Sequence, residues 1–507
     1  MDIALVCGAY QSIEWARIET GVSIVRQIVC RKFVGLVVVA GIMVGSPLPV
    51  FSTESVESVG LRKAIELALL HNRELAKARL SVRSGQIALA RAQSEFASEL
   101  TPSGSLGADS GSEIANMGLQ WSKKLALGTS LRAGASVTAG EAKLDEGNEW
   151  YYQSSASLSI EQPLFENFGI LVNKEPLNQA VESLRAHARM LHMQKADVIV
   201  AVVEAYLDVL RLEMQTKTDV QFLARMEKLQ KLTRAKEKQG KATRVDSLRI
   251  DLQHGRAQIR LENDRELCSS RRRDLSEQIG LTTDSAVNLE PVPFIESALP
   301  DNEIAVRIAL SNRLDYAQAL DDTRSAERTT RIARKRLAPN ISLITRYSLT
   351  SDYEDALTFG SSDGHRWFFG LTSSGDLLGT SKQLDLEESL INSEARQADV
   401  EIIASEITRQ VQHELAGCRR SFAEVTIAER NVELADARAK LARRLFESGR
   451  GDNFAVSDAE DEAFSAYTVL LTAKANVVIS VYRLRRALGT LIDSAEELKP
   501  TQVGGFE

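Results

Sequence analysis

Residues able to do chemistry are present in this chain, but their spacing builds no reaction centre. The six histidines, His71, His187, His192, His254, His365 and His413, are scattered over 507 residues. His187 and His192 are five apart, so a helix would turn them to different faces and they would not share a metal. No glycine-rich phosphate loop, zinc-ligand spacing or nucleophile elbow is present. Cys7 and Cys30 lie ahead of or beside an N-terminal apolar run. Cys268 and Cys418 read as buried free thiols in helices, and the sequence leaves a pairing between them open. The Asp/Glu pairs fall on solvated helix faces. The expectation is a protein without catalysis, cofactor or metal.

Charge excludes a further class. The net charge of −7 and pI near 5.7 give no support for nucleic-acid binding, and Arg271-Arg272-Arg273 reads as helix surface.

The elements that would carry any site are set by proline and periodicity. No proline falls between Pro176 and Pro291, or between Pro339 and Pro500. Proline breaks helices, so these tracts permit long ones. The first runs from about Asn173 to Gln239, breaks near Gly240, and resumes from Arg244 to Gly280. The second runs from about Lys382 to Ser448, breaks at Gly449–Asn453, and resumes to about Ile492. Val425, Ala428, Val432, Ala435, Ala439, Ala442 and Phe446 recur at coiled-coil spacing, as do Val198, Val202, Ala205, Val209 and Leu212. Alanine at many seam positions lets backbones approach closely; a solid helical bundle would fit the pattern too.

Each long tract follows an Ala-rich helical run and a stretch of period two. The first helix is predicted from about Val59 to Leu100, stopped by Thr101-Pro102, and its counterpart from about Asn302 to Leu337. Ala64-Ile65-Glu66-Leu67-Ala68-Leu69 answers Ala305-Val306-Arg307-Ile308-Ala309-Leu310, so the chain reads as two copies of one unit. After each helix, apolar residues alternate with Ser, Gly and Arg: Leu131, Ala133, Ala135 and Val137 in the first unit, Trp367, Phe369 and Leu371 in the second. The acidic stretches Ala139–Trp150 and Thr350–Gly364 are expected as connections between strands. Trp121, Trp150 and Trp367 lie in or beside the strands, as in the aromatic girdle of a lipid-facing barrel. On the strands alone, a soluble β-sandwich lid remains open.

Arg26, Arg31 and Lys32, the apolar run Phe33–Val44, and Val50-Phe51-Ser52 form a basic, apolar and small-residue series typical of a secretory signal. The expected division is a signal peptide with an N-terminal extension at 1–52, and a first repeat at 53–290 with a strand pair at 103–165. A second repeat follows at 291–495 with a strand pair at 340–375, then a tail at 496–507.

These residues resemble the TolC family of outer-membrane efflux proteins. The likeness spans about Val59 to Ile492. It is carried by Ala64 to Asn72 and Ala305 to Asn312, the helix stops Leu100-Thr101-Pro102 and Leu337-Ala338-Pro339, Glu161-Gln162-Pro163-Leu164-Phe165, and Ala487-Leu488-Gly489-Thr490-Leu491. The resemblance implies an α+β membrane protein of the Gram-negative outer membrane. It would be a homotrimer with about four strands per protomer in one shared twelve-stranded barrel, continued by a periplasmic helical tunnel. It implies a passive exit duct embedded in outer-membrane lipid, served by an inner-membrane transporter through a periplasmic adaptor. The alternative is a periplasmic coiled-coil adaptor or scaffold, which would carry one helical hairpin rather than two.

The resemblance also implies that the two helix breaks form the periplasmic tip, with turns at Gly240 and Gly449. Asp246 follows Gly240 at the family's six-residue spacing; Phe446 and Asp458 match around Gly449. Arg450 stands one residue earlier than the family's arginine, and Ala455 replaces a carboxylate. Asp246, Phe446, Arg450 and Asp458 are therefore the expected constriction, with one ring of three Asp458 carboxylates attracting cations. The competing reading of Asp246 and Asp458 is stabilisation of a helix N-terminus.

Mass spectrometry of the mature protein should find an N-terminus near Thr53 and no acylated cysteine. Retention of Phe33–Val44 would refute the assignment.

Overall fold

The computed structural model of the chain describes residues 58–493, apart from 110–111, 145–146, 282–287, 293–298, 352–363 and 375–379, together with Leu498. The expected signal segment and most of the expected tail lie outside the described residues, as does most of the stretch Thr350–Gly364.

Each repeat begins with two helices rather than one. In the first, α1 (Leu61–His71) and α2 (Arg73–Ser94) are separated by Asn72, whose side chain accepts from the Glu74 and Leu75 amides at 2.9 and 3.2 Å. A short polar side chain that satisfies the amides of a new helix start favours a break there. In the second, α5 (Asn302–Asn312) and α6 (Leu314–Arg336) break at Arg313, which grips Asp315 at 2.6 Å and reaches Gln410 at 2.9 Å. Ala64 and Ala305 are both fully buried, as expected for equivalent positions of a duplicated unit. The expected stop at Pro102 is not where α2 ends. The helix finishes at Ser94, and Pro102 lies inside a strand. Within the chain that strand lies at the edge of the sheet, a position where proline is found.

The long helices fall close to their predicted places. α3 (Glu175–Lys238) and α4 (Arg244–Gln278) form one hairpin; α7 (Thr380–Glu447) and α8 (Asn453–Ala487) form the other. At about 1.5 Å per residue, α3 and α7 are each close to 100 Å long. Val198, Val202, Val209, Leu212, Val425, Ala428, Ala435, Ala439 and Phe446 are buried, so the coiled-coil seams are real contacts. α8 is the one described helix long and apolar enough to cross a membrane, a property not expected from the sequence. Its apolar residues Val477, Val478, Val481 and Leu484 are buried in core clusters, which accounts for its composition. Cys268 is partly buried and Cys418 buried, and both are free.

Named contacts close the first repeat and join it to the second. Tyr206 on α3 is fully buried and donates its hydroxyl proton to the carbonyls of Val59 and Glu290, at 2.9 and 2.7 Å. Those carbonyls flank a parallel pairing of β1 (Ser58–Val59) with β6 (Asn288–Leu289). Burial pushes the Tyr206 pKa up to about 12, so the phenol remains a donor. Arg328 on α6 binds Glu175 at 2.6 Å and Glu182 at 2.7 Å on α3. Buried Arg189 on α3 binds Asp321 on α6 at 2.7 Å.

The sheet differs most from expectation. Among the described residues it has six strands, not about four: β2 (Glu99–Asp109), β3 (Ser112–Lys124), β4 (Ser130–Leu144), β5 (Gly147–Pro163), β7 (Ile341–Thr350) and β8 (His365–Ser373). They lie side by side in that order, every neighbour antiparallel. The region expected to hold one strand pair, 103–165, is covered by four strands. Ala139–Trp150 is not a long connection, because β4 continues to Leu144 and β5 resumes at Gly147. Its carboxylates hid the strand ends, since acidic residues are depleted in strands.

The register sorts side chains by face across the whole sheet. One row reads Leu100, Trp121, Ala133, Leu158, Tyr347 and Trp367. The adjacent row, on the opposite face, reads Thr101, Gln120, Gly134, Ser157, Ser348 and Arg366. The apolar face is bare: Leu106 is 89%, Met117 74%, Trp367 64% and Phe369 68% exposed. Trp367 lies near-parallel to Phe369, with centroids 5.9 Å apart.

One buried carboxyl makes the helical region pH-sensitive. Asp219 on α3 is 2% exposed, and neither carboxyl oxygen finds a donor. Desolvation, then the adjacent Asp264, push its pKa up to about 7, while Arg260 opposes the shift. A carboxyl with a raised folded pKa stabilises only while protonated. Its contribution is complete below about pH 3.8 and is lost as pH rises through about 7. Asp219→Asn should therefore raise the Tm more at pH 8 than at pH 5, a difference of order 2 kcal/mol. Equal effects at the two pH values, in thermal melts, would show the carboxyl to be hydrated.

Candidate channel constriction

The two long hairpins turn at glycines whose backbone only glycine adopts without strain. Gly240 has φ +73° and Gly449 φ +78°. At the first turn, the Gly240 amide donates to the Glu237 carbonyl at 2.9 Å and the Lys241 amide to that of Lys236 at 2.8 Å. The second repeats the pattern, with Gly449 to Phe446 at 3.1 Å and Arg450 to Leu445 at 2.9 Å. Left-handed glycine caps of this kind close the last helical carbonyls.

The residues after each turn start the returning helix. Thr243 caps α4. Its hydroxyl accepts the Asp246 amide at 3.2 Å, while Asp246 Oδ2 accepts the Thr243 amide at 2.9 Å and hydroxyl at 2.6 Å. Those hydrogen bonds, the hydroxyl's first, hold the Asp246 carboxyl below the usual carboxylate range. Asp246 thus serves the start of its own helix, the competing role seen in the sequence. Asp452 does the same for α8, accepting the Phe454 amide at 3.2 Å.

Asp458 sits farther along α8 and is half-exposed. Arg438 on the outgoing helix α7 binds it at 2.6 Å and also contacts Glu462. The chain thus supplies a patch of two carboxylates and one guanidinium where sequence reasoning saw one carboxylate. Arg438 was missed because it lies on the other helix, 20 residues before Asp458 across the turn, and no local spacing marks the pair. Arg450 is exposed at the turn. Phe446 is only 5% exposed, packed under the Lys236 ammonium at 3.7 Å and inside a cluster with Phe222, Met226, Ile250, Val456 and Phe464. Its side chain belongs to the core that backs the turn.

The two turns are joined within the chain. Asn453 is 3% exposed; its amide donates to the Asp246 carbonyl at 3.3 Å, and its oxygen accepts from Thr233 at 3.4 Å. Farther from the turns, buried Glu460 receives Arg225 at 2.8 Å from one hairpin and Arg443 at 2.9 Å from its own. Removing one partner from a buried ion pair leaves an uncompensated charge, so this link resists separation. Among the described residues no cluster of His, Cys, Asp and Glu could hold a metal.

The other expected site was an aromatic girdle. Trp121 and Trp367 fall on the same apolar face of the sheet, and Trp150 lies in β5. The fold is similar to that of known outer-membrane channels. Residues 305–490 match the outer membrane efflux protein family. No curated protein matches the chain. Among solved structures, the outer-membrane channel OprN superposes with a TM-score of 0.67 at 17% identity, covering 85% of this chain and 90% of that one. The outer membrane protein VceC of Vibrio cholerae gives 0.65 at 16%, covering 85% and 96%. The Campylobacter jejuni CmeC outer membrane channel gives 0.66 at 12%, covering 86% and 87%. Residues 305–490 thus carry the sequence signature of the outer membrane efflux proteins, and the chain as a whole has the fold of the outer-membrane channels OprN and CmeC.

Proposed function

We propose that the chain is the passive outer-membrane exit duct of a tripartite export system. It acts as a homotrimer that receives substrate from an inner-membrane transporter through a periplasmic adaptor. The observation that carries this reading is a sheet with one bare apolar face and one small-polar face, continuous with two long helical hairpins. Lipid covers the first face and water fills the space behind the second. An adaptor or scaffold has no use for an exposed apolar face of this extent in the periplasm. The chain should stay in outer membranes after a carbonate wash; release into the soluble fraction would sink the reading.

In this reading the glycine turns mark the periplasmic end, and Asp458 lines the narrowest point with Asp246 and Arg450 nearby and Phe446 behind them. Three copies would bring three Asp458–Arg438–Glu462 patches toward one axis. Arg438 offsets part of their negative field, and half-exposed pairs of this kind contribute little to stability, about 0–1 kcal/mol. Removing the arginine therefore changes the field more than the fold. Arg438→Ala should strengthen cation preference and divalent-cation block in planar-bilayer recordings. Asp458→Asn should weaken both. Identical selectivity in wild type and both variants would place the constriction elsewhere.

A further inference from the structure

The strand count has a consequence for the pore. We propose that the assembled channel has an eighteen-stranded barrel, each chain giving all six strands to the wall and pairing β2 with β8 of the next copy. This rests on the trimeric exit-duct reading above.

The first argument is that the extra strands are built for lipid. The face pattern does not stop at β4, β5, β7 and β8 but continues into β3 and β2. On β3, Met117 and Leu119 stand on the apolar side, and on β4 Val137 does, while Asn116 and Ser136 stand on the other. Asn116 donates to Thr138 at 2.9 Å and Ser136 shares a hydrogen bond with Ser155 at 2.8 Å, so the polar side satisfies itself across strands. At 11 and 13 residues, β2 and β3 are long enough to span the hydrocarbon, which needs about 9–11 tilted residues.

The second argument is that the β3–β4 turn is anchored at the level where the sheet meets the helices. The Gly169 amide donates to the Leu127 carbonyl at 2.9 Å. Gly128 has φ +97°, and a Cβ there would come within 2.7 Å of both the Asn167 carbonyl oxygen and Asn173 Nδ2. The turn is fitted against the strand–helix junction, which holds the hairpin in line with β5.

The third argument is closure. Among the described residues β2 and β8 each have a single neighbouring strand. An unpaired row of amides and carbonyls is not tolerated in hydrocarbon. With an even number of antiparallel strands, β8 of one copy runs opposite to β2 of the next, so the same antiparallel order continues around the ring. Three six-stranded sheets then make eighteen strands. At about 4.8 Å between strands and ~40° tilt, backbone diameter grows from roughly 24 Å for twelve strands to roughly 36 Å for eighteen. Such a bore does not discriminate among small molecules. Size selection falls to the periplasmic end, and the barrel itself admits cargo as wide as a small folded polypeptide.

The test uses the full chain in lipid nanodiscs, with strands counted by electron cryomicroscopy. Eighteen strands around a threefold axis support the proposal. A trimer with twelve strands overturns it while leaving the exit-duct reading intact; a chain that does not embed overturns both. Thiol labelling supplies an independent readout in a Cys268→Ser, Cys418→Ala background. A water-soluble maleimide should modify Gln120→Cys and Ser136→Cys at least tenfold faster than Met117→Cys and Val137→Cys, with a lipid-soluble reagent reversing the order. Equal reaction of all four with the water-soluble reagent would put the β3–β4 hairpin outside the wall.

Discussion

The constraint on which this architecture turns is that backbone polar groups must be paired wherever lipid excludes water. Each unpaired amide or carbonyl in hydrocarbon costs several kcal/mol. A sheet with two open edges can exist in a membrane only as part of a closed ring. Antiparallel order and the division of the sheet into an apolar and a more polar face both serve that closure. Among the described residues the row from Leu100 to Trp367 has no core to pack against; the fold leaves it bare because another phase supplies the contact.

Below the sheet the problem is opposite. The long helices lie in water, and their stability comes from lengthwise packing rather than from any compact core. Alanine at positions such as Ala428, Ala435 and Ala439 brings backbones together, and larger residues gather where hairpins meet, as around Phe446, Phe464 and Ile250. Charged residues then do the joining that a core would do elsewhere. Arg328 with Glu175 and Glu182, Arg189 with Asp321, and Glu460 with Arg225 and Arg443 connect different helices at successive levels. Partly buried arginine–carboxylate pairs fix relative orientation by their fork geometry, which suits helices that must keep register over about 100 Å.

The turns show how one residue serves two levels of structure. Gly240 and Gly449 end their helices by adopting a left-handed backbone, and the next few residues cap the returning helices. Asn453 then bridges one cap to the other hairpin through the Asp246 carbonyl. Asp246 is consumed by capping, whereas Asp458, a turn and a half farther along, keeps its carboxylate on the surface beside Arg438.

By itself the sequence determined the long helices, their breaks and the duplication. These depend on local rules: absence of proline, glycine where φ must be positive, and a repeat of small residues at coiled-coil spacing. It also determined the two-faced character of the strands, because alternation is written in consecutive residues. The number of strands was not legible. Glu99–Asp109 contains Pro102, Gly104 and Gly107, poor strand formers that only cross-strand pairing with β3 makes into a strand. Likewise Glu141 and Glu149 looked like loop residues until pairing carried β4 and β5 past them. The company of Asp458 was decided by tertiary structure alone. Arg438 meets it because α7 and α8 pack side by side, and a salt bridge between two helices leaves no signature in the spacing of either.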